Sequence, residues 1–289
     1  AVGSKYKSAT LLLLTLWVST AGLLSAQTSS SLDLFNAAPL RASGQNVIPL
    51  FDGWFPNADG TYTLCFGYFN MNTGQSLDVP LGEGNRIEPA IYDGSQPTHF
   101  DPVPKPTLTR LFRHHWCVFS IIVPADFGDS EVIWTLESQG DKLSVPGWLL
   151  PTYVLDEEST TGRGAVAPYL SLNDDPPNFR GRRGLWEGPR IAKVGEPVPL
   201  IARIMHPESG TWLGWTLHQG SGQVEFSPAE LRLDAANGAA TTTAIFSEPG
   251  SYVVRVQAIN DTERRGNPTY GFEFYCCWTN GYVRIDVVE

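Results

Sequence analysis

From Val47 onward the chain is interrupted about every ten residues by a turn signal, the spacing expected of short strands. The sequence carries no sustained 3.6-residue apolar period between those interruptions. Asn57-Ala58-Asp59-Gly60, Asn72-Thr73-Gly74, Gly82-Glu83-Gly84-Asn85 and Ser247-Glu248-Pro249-Gly250 are the clearest of them. Glycine and asparagine accept the left-handed backbone that tight turns demand, and proline removes a ladder donor. A chain broken so often cannot build long helices. It folds from short strands packed in layers, and the expected class is all-β. The abundance of Gly (28) and Pro (22), with a charged fraction of 17%, suits that reading.

One stretch anticipates a core. In Asp52–Asn70, Tyr62, Leu64, Phe66 and Tyr68 fall on one face of a strand, and Thr61, Thr63, Cys65, Gly67 and Phe69 on the other. Large apolar residues on both faces predict a strand covered on both sides. Trp54 and Phe55 precede the turn and are candidates for outward contact with a partner. Further strands are expected at 76–81, 116–123 and 131–138. The proline-studded Asp101–Pro106 must run extended between them.

The amino-terminal part has a different character. Lys5 and Lys7 precede the uncharged run Ala9–Ala26, whose length is at the lower edge of what spans a bilayer. The same pattern fits a cleavable export signal, although Leu24 occupies a place where cleavage favours a small residue. A retained transmembrane or signal-anchor helix and a removed signal are both open. Either orientation rule leaves the lysines inside and exports the body. Leu14 and Trp17 in this helix, and the apolar hook Leu34-Phe35 in the polar tether after it, are candidate partner contacts.

The expected organisation is an anchor or signal over 1–26, a tether over 27–46, a first β-sandwich over 47–155, a linker over 156–189 and a second sandwich over 190–289. The linker expectation rests on the polar run 156–164, the turn-rich Asn173–Asn178 and the basic Arg180-Gly181-Arg182-Arg183.

The second sandwich resembles a known kind of module. Val194-Gly195-Glu196-Pro197-Val198, Trp215-Thr216-Leu217, Gly222–Pro228 and Ala240–Val256 follow one another as in the bacterial immunoglobulin-like or PKD-like modules of exported proteins. Pro249-Gly250-Ser251-Tyr252-Val253-Val254-Arg255-Val256 carries most of the likeness. It covers roughly the last hundred residues and breaks at 260–280, where an aromatic insertion runs Tyr270-Gly271-Phe272-Glu273-Phe274-Tyr275-Cys276-Cys277-Trp278. The resemblance implies an immunoglobulin-like fold and a scaffolding or adhesive role, with no shared active site. The first sandwich resembles exported bacterial β proteins more loosely. Within the insertion Phe272, Phe274, Tyr275 and Trp278 are candidate contacts, since contiguous apolar surface marks an interface unless it is folded under the domain.

Chemistry is sparse in this sequence. A net charge of −10 argues against nucleic acid, which needs a cationic face. There is no glycine-rich phosphate loop, no Gly-x-Ser-x-Gly, no His-Glu-x-x-His and no Cys-x-x-Cys. His115 and Cys117 would share one strand face and, with His99, are the nearest approach to a metal set. Solvated edge histidines are the simpler reading, and no metal or other cofactor is expected. Asp156-Glu157-Glu158 and Asp174-Asp175 lack the ligand spacing of a calcium loop. Cys65 and Cys117 each lie in a strand-like run, so a bridge between adjacent strands is possible, with buried free thiols as the alternative. Cys276 and Cys277 are neighbours, a geometry that strains a mutual bridge.

Trp54, Trp148, Trp186, Trp212, Trp215 and Trp278 could stack on sugars or fill cores. The functional expectation is a non-enzymatic, membrane-anchored exported subunit. It would contact the bilayer through its helix and brace the subunits of an integral membrane complex, with an accessory role in a photosynthetic reaction centre as one specific form. The alternative is a secreted or surface carbohydrate-binding or adhesive protein.

Overall fold

The computed structural model describes residues 41–107, 113–155, 166–260 and 277–289. The expectations on Leu14, Trp17, Leu34, Phe35, Phe272, Phe274 and Tyr275 fall outside these residues. No helix among the described residues is long and apolar enough to cross a membrane. Residues 41–289 form one compact unit.

The first half contributes eight strands: β1 (Val47–Pro56), β2 (Tyr62–Asn70), β3 (Leu77–Asp78), β4 (Asn85–Glu88), β5 (His99–Phe100), β6 (His114–Val123), β7 (Val132–Ser138) and β8 (Asp141–Gly147). Antiparallel β1-β2-β6 faces β4-β7-β8, with the short pair β3-β5 alongside. Their facing side chains make a core of Leu64, Phe66, Phe100, Phe119, Trp134 and Leu136, all fully buried. Phe66 stacks on Phe119 at 5.3 Å, and Trp134 meets Phe119 edge-on at 5.0 Å. The indole N–H of Trp134 donates to Asn85 Oδ1 at 3.0 Å, which satisfies the one polar atom such a residue brings into a core.

The second half contributes β9 (Tyr169–Ser171), β10 (Leu185–Lys193), β11 (Val198–Met205), β12 (Thr211–Gln219), β13 (Val224–Ser227), β14 (Glu230–Leu233), β15 (Asn237–Phe246), β16 (Gly250–Asn260) and β17 (Trp278–Val288). A five-stranded sheet ordered β10-β17-β16-β12-β14 packs on a four-stranded sheet ordered β13-β15-β11-β9. Leu200, Ala202 and Ile204 from one sheet meet Leu213, Trp215, Val254, Val256 and Ile285 from the other. The alternation of inward and outward residues along β11 and β15 is that of sheets wet on one face.

Residues 166–189, expected as part of a linker, are structural. β9 pairs with β11 through Ser171–Arg203 to Tyr169–Met205, and β10 runs parallel to β17 from Leu185–Gly281 to Lys193–Val288. Both strands belong to the second sandwich. The run 156–165 lies outside the described residues.

The two sandwiches are packed against each other. Thr98 N donates to His218 O at 2.8 Å, and Gln219 Nε2 donates to the carbonyls of Gly94 and Gln96. The extended segment around Lys105-Pro106 lies on β12 at Gly214, where a β-carbon would stand 2.3 Å from Pro106 N. Gly214→Val is therefore expected to push that segment off the sheet at a cost of about 1–3 kcal/mol. A urea midpoint equal to that of the parent would contradict this close approach.

Candidate functional site

β2 has buried residues on both faces because each face meets a different sandwich. Leu64, Phe66 and Tyr68 enter the first core, whereas Cys65 joins Phe55, Cys117, Ile259 and Trp278 in a separate cluster between the sandwiches. The Sγ atoms of Cys65 and Cys117 are bonded, with Cα atoms 4.9 Å apart across β2 and β6. The bridge spans a bulge, where Cys117 takes φ 42° and the pairing register slips between Phe66 and Tyr68. Asp52 holds that bulge: its carboxylate accepts from Cys117 N at 2.5 Å and meets His114 Nε2 at 2.8 Å. Gly67 makes room for it, since a β-carbon there would lie 2.4 Å from Asp52 Oδ2. Cys277 is also disulfide-bonded, so none of the described cysteines is a free thiol.

The polar centre of the junction is built on β17. Asn280, fully buried, accepts from Arg255 Nε and Nη2 at 3.2 and 2.8 Å. Its amide donates to the carbonyls of Cys117 and Arg182 at 3.0 and 2.8 Å. One side chain thus ties the first sandwich, the second sandwich and the loop before β10. Beside it, Tyr282 donates its hydroxyl to Val118 O at 2.7 Å, and burial pushes its pKa up to about 12. The Arg182 guanidinium lies 5.5 Å from the rings of both Phe55 and Trp278.

Three histidines flank this centre with opposite electrostatics. His115 is buried against Tyr68, with ring centroids 4.1 Å apart. Burial lowers its pKa to about 3, and the nearby Arg255 adds to that against the opposing pull of Asp101. Burial likewise lowers His218 to about 3, although its Nε2 sits 2.9 Å from Ser95 O. His99 goes the other way. Burial would lower it, but the carboxylates of Asp101 and Asp78, 3.3 and 2.6 Å from its ring nitrogens, outweigh that and raise it to about 9. These groups are spent on holding structure. His115, Cys117 and His99 do not form a metal set, because Cys117 is in the bridge and His99 is turned to its two carboxylates. Among the described residues no group of three or more His, Cys, Asp and Glu could hold a metal ion. Asp174 pairs with Arg203.

The aromatic candidates fall into place within the fold. Phe55 and Trp278 were expected to face a partner, but both are buried in the cluster between the sandwiches, at 9% and 3% exposure. They turn inward because each sandwich hides the other's apolar edge. Trp54 is half-buried on the first core, meets Tyr62 edge-on and donates Nε1–H to Leu150 O at 2.8 Å. Trp215 is core, Trp212 packs beside the cluster, and Trp148 stacks on Phe51 at 6.2 Å. Trp186 is exposed at 36%, yet Tyr282 stacks on it at 4.3 Å and Arg284 lies 4.9 Å from its ring. None of these is a bare flat platform.

An open concavity lies elsewhere. A cleft of about 370 Å3 sits between the β1–β2 turn and the loop before β10, with Phe55, Asn57 and Asp59 on one side and Phe179, Arg180 and Arg183 on the other. The turn is stiffened by its own hydrogen bonds: Asp59 Oδ1 accepts from Thr61 N and Oγ1 at 3.0 and 2.6 Å, and Asn57 binds Thr61 and Thr63. Those bonds from Thr61 hold the Asp59 carboxyl below its ordinary pKa, and the charge of Arg183 adds to the effect. The sequence signals were present in Arg180–Arg183 and in the turn, but nothing in the sequence brought them together.

The PKD domain model matches residues 185–267. The carboxy-terminal sandwich is an immunoglobulin-like module. That match begins at the first residue of β10, inside the stretch expected as linker. Solved structures with similarity include a PapD-like domain of human CEP192, at 10% identity over 47% of this chain and 90% of that one, with a TM-score of 0.28. Domains 4 and 5 of the S-layer protein SbsC match at 10% identity over 56% and 66%, TM-score 0.26. The D00-D0 domain of intimin matches at 14% over 84% and 100%, TM-score 0.26. Superposition this poor carries no weight for fold or function. No curated protein matches the chain.

Proposed function

We propose that this chain is a non-enzymatic, exported surface protein of the adhesive or binding type, in which two sandwiches act as a single rigid body. The observation that carries the reading is the Cys65–Cys117 bridge at the junction with a PKD-type sandwich. Disulfides persist in oxidising compartments and are rare in the cytosol. The −10 net charge suits a soluble exposed body and gives no footing for nucleic acid.

Protease added outside intact envelopes, together with a mass-tagged maleimide added to denatured lysate with and without prior reduction, tests this. The body is expected to be digested by protease added outside intact envelopes, and Cys65 and Cys117 to take label only once reduced. A protease-protected cytosolic body whose thiols react without reductant would overturn the proposal.

The finer form, an anchored subunit bracing a membrane complex, rests on 9–26 and on the insertion 270–278, of which 9–26 and 270–276 lie outside the described residues and Trp278 is buried. Its support is the apolar run of the sequence alone, and nothing in the fold favours a photosynthetic partner over any other. Intact mass and mild-detergent purification decide it. A membrane-bound chain that keeps its first residues and brings down stoichiometric partners is expected. A soluble chain beginning near Gln27 would remove the anchor.

A further inference from the structure

The cleft between the β1–β2 turn and the loop before β10 has a charge pattern at odds with the rest of the molecule. The whole chain carries −10, yet here two arginines face one carboxylate. Arg180 lays its guanidinium 3.8 Å from the centre of the Tyr169 ring, and its Nε–H is buried with no hydrogen-bond partner among the described residues. Arg180 lines the cleft, and its guanidinium carries N–H donors besides Nε that an anion there can meet. Arg183 is exposed at the rim. Asp59 spends Oδ1 on its own turn and stays ionised, so it accepts hydrogen bonds and does not donate them. Phe179, half-buried, provides apolar surface between these polar groups, with only an edge of the buried Phe55 reaching the cleft. At about 370 Å3 the space is near the lower end of the ~300–1,000 Å3 usual for small-molecule sites.

A matching ligand brings an anionic group, hydroxyl donors and an apolar face in one compact unit. We propose that the cleft binds the carboxylate-bearing sugar of an acidic carbohydrate, a uronic or sialic acid residue. Its carboxylate meets Arg180 and Arg183, a hydroxyl donates to Asp59, and its C–H face rests on Phe179. Guanidinium forks suit carboxylates in particular, because two parallel N–H groups match two oxygens. The proposal extends the surface-protein reading by naming a ligand. A negative binding result leaves the protease and labelling result standing, and the reverse also holds.

The test is calorimetric titration of the full chain with sodium glucuronate and with sodium N-acetylneuraminate, using glucose and a short peptide with a free carboxy-terminal phenylalanine as comparisons. Saturable binding of at least one acidic sugar is expected, weakening as salt rises, with no response to glucose. Arg183→Gln and Arg180→Gln should each weaken it by about tenfold or more, the effect of losing a charge-assisted hydrogen bond. Arg180→Lys should restore only part, since a point charge replaces a fork. Arg183 is exposed, so its variant should keep the parent melting temperature, and loss of binding there cannot be ascribed to unfolding. Binding of neither sugar, equal binding of glucose, or acidic-sugar binding indifferent to Arg183→Gln would overturn the proposal. Preference for the peptide over both sugars would overturn the carbohydrate assignment.

Discussion

Asn280→Leu is expected to lower the unfolding free energy by about 3–5 kcal/mol, the range seen when one partner of a buried charged group is removed. Leucine keeps the branching of asparagine at Cγ and is the larger of the two, so the cost is not a cavity. It comes from Arg255, which would keep its charge in the interior with Nε and Nη2 no longer received by Asn280 Oδ1. The carbonyls of Cys117 and Arg182 would lose their donor in the same substitution. Asn280→Asp should fall between the two, retaining the acceptor for Arg255 while losing both donated bonds. Urea unfolding followed by tryptophan fluorescence reads the change. A loss under about 1 kcal/mol, the worth of one ordinary hydrogen bond, would mean that Asn280 is not the fastening its geometry implies.

Acid should loosen the same junction. His115 and His218 have folded pKa values near 3, against 6.5 unfolded. Lowered histidine values mean that the unfolded chain takes up protons the folded one refuses, so stability falls as pH drops below 6.5 and goes on falling towards 3. By pH 5 each contributes a loss of about 2 kcal/mol relative to pH 7.5. His99 opposes this. Its folded value of about 9 stabilises fully below 6.5 and is lost as pH rises through 9, so moving from pH 7.5 to 5 regains about 1 kcal/mol. The net expectation is a loss of about 3 kcal/mol between pH 7.5 and 5, read from urea midpoints at each pH. His218→Gln can still donate to Ser95 O and does not titrate. It should remove about 2 kcal/mol of that pH dependence. An unchanged slope in this variant would show that His218 does not titrate as its burial implies.

The architecture was legible where turn chemistry and alternation agree. The Asn57–Gly60 turn, the two-faced β2 and the strands through 252–256 could be read directly, because each depends on local residues. What was not legible depends on partners distant in sequence. Apolar residues on both faces of β2 announced two-sided burial, but not that the second cover is the other sandwich. Phe55 and Trp278 looked like exposed contacts for the same reason. The start of β17 has no local signature, because Thr279, Asn280 and Gly281 are polar or small residues of the kind that turns favour. All three are buried, with Thr279 receiving Gly181 N and Asn280 binding across the junction. Polar residues in a central strand become intelligible only when their partners are known. β9 and β10 were missed because they are flanked by Asn-Asp-Asp-Pro-Pro and Arg-Gly-Arg-Arg-Gly, compositions that usually mark connectors. The cleft joins residue 55 to residue 183, and no local pattern records such a pairing.

The placement of β17 has a consequence for how the molecule comes to exist. Every strand of the first sandwich has been made by Gly147, whereas Asn280 and Tyr282 emerge some 130 residues later. A growing chain therefore holds a finished first sandwich whose disulfide face is bare, waiting for its cover. β10 waits too, because its parallel partner is the same late strand. Contacts of such long sequence separation close slowly. The interval leaves apolar surface around Phe55 and Cys117 open to helper proteins, to other nascent chains, or to oxidation in the wrong pairing.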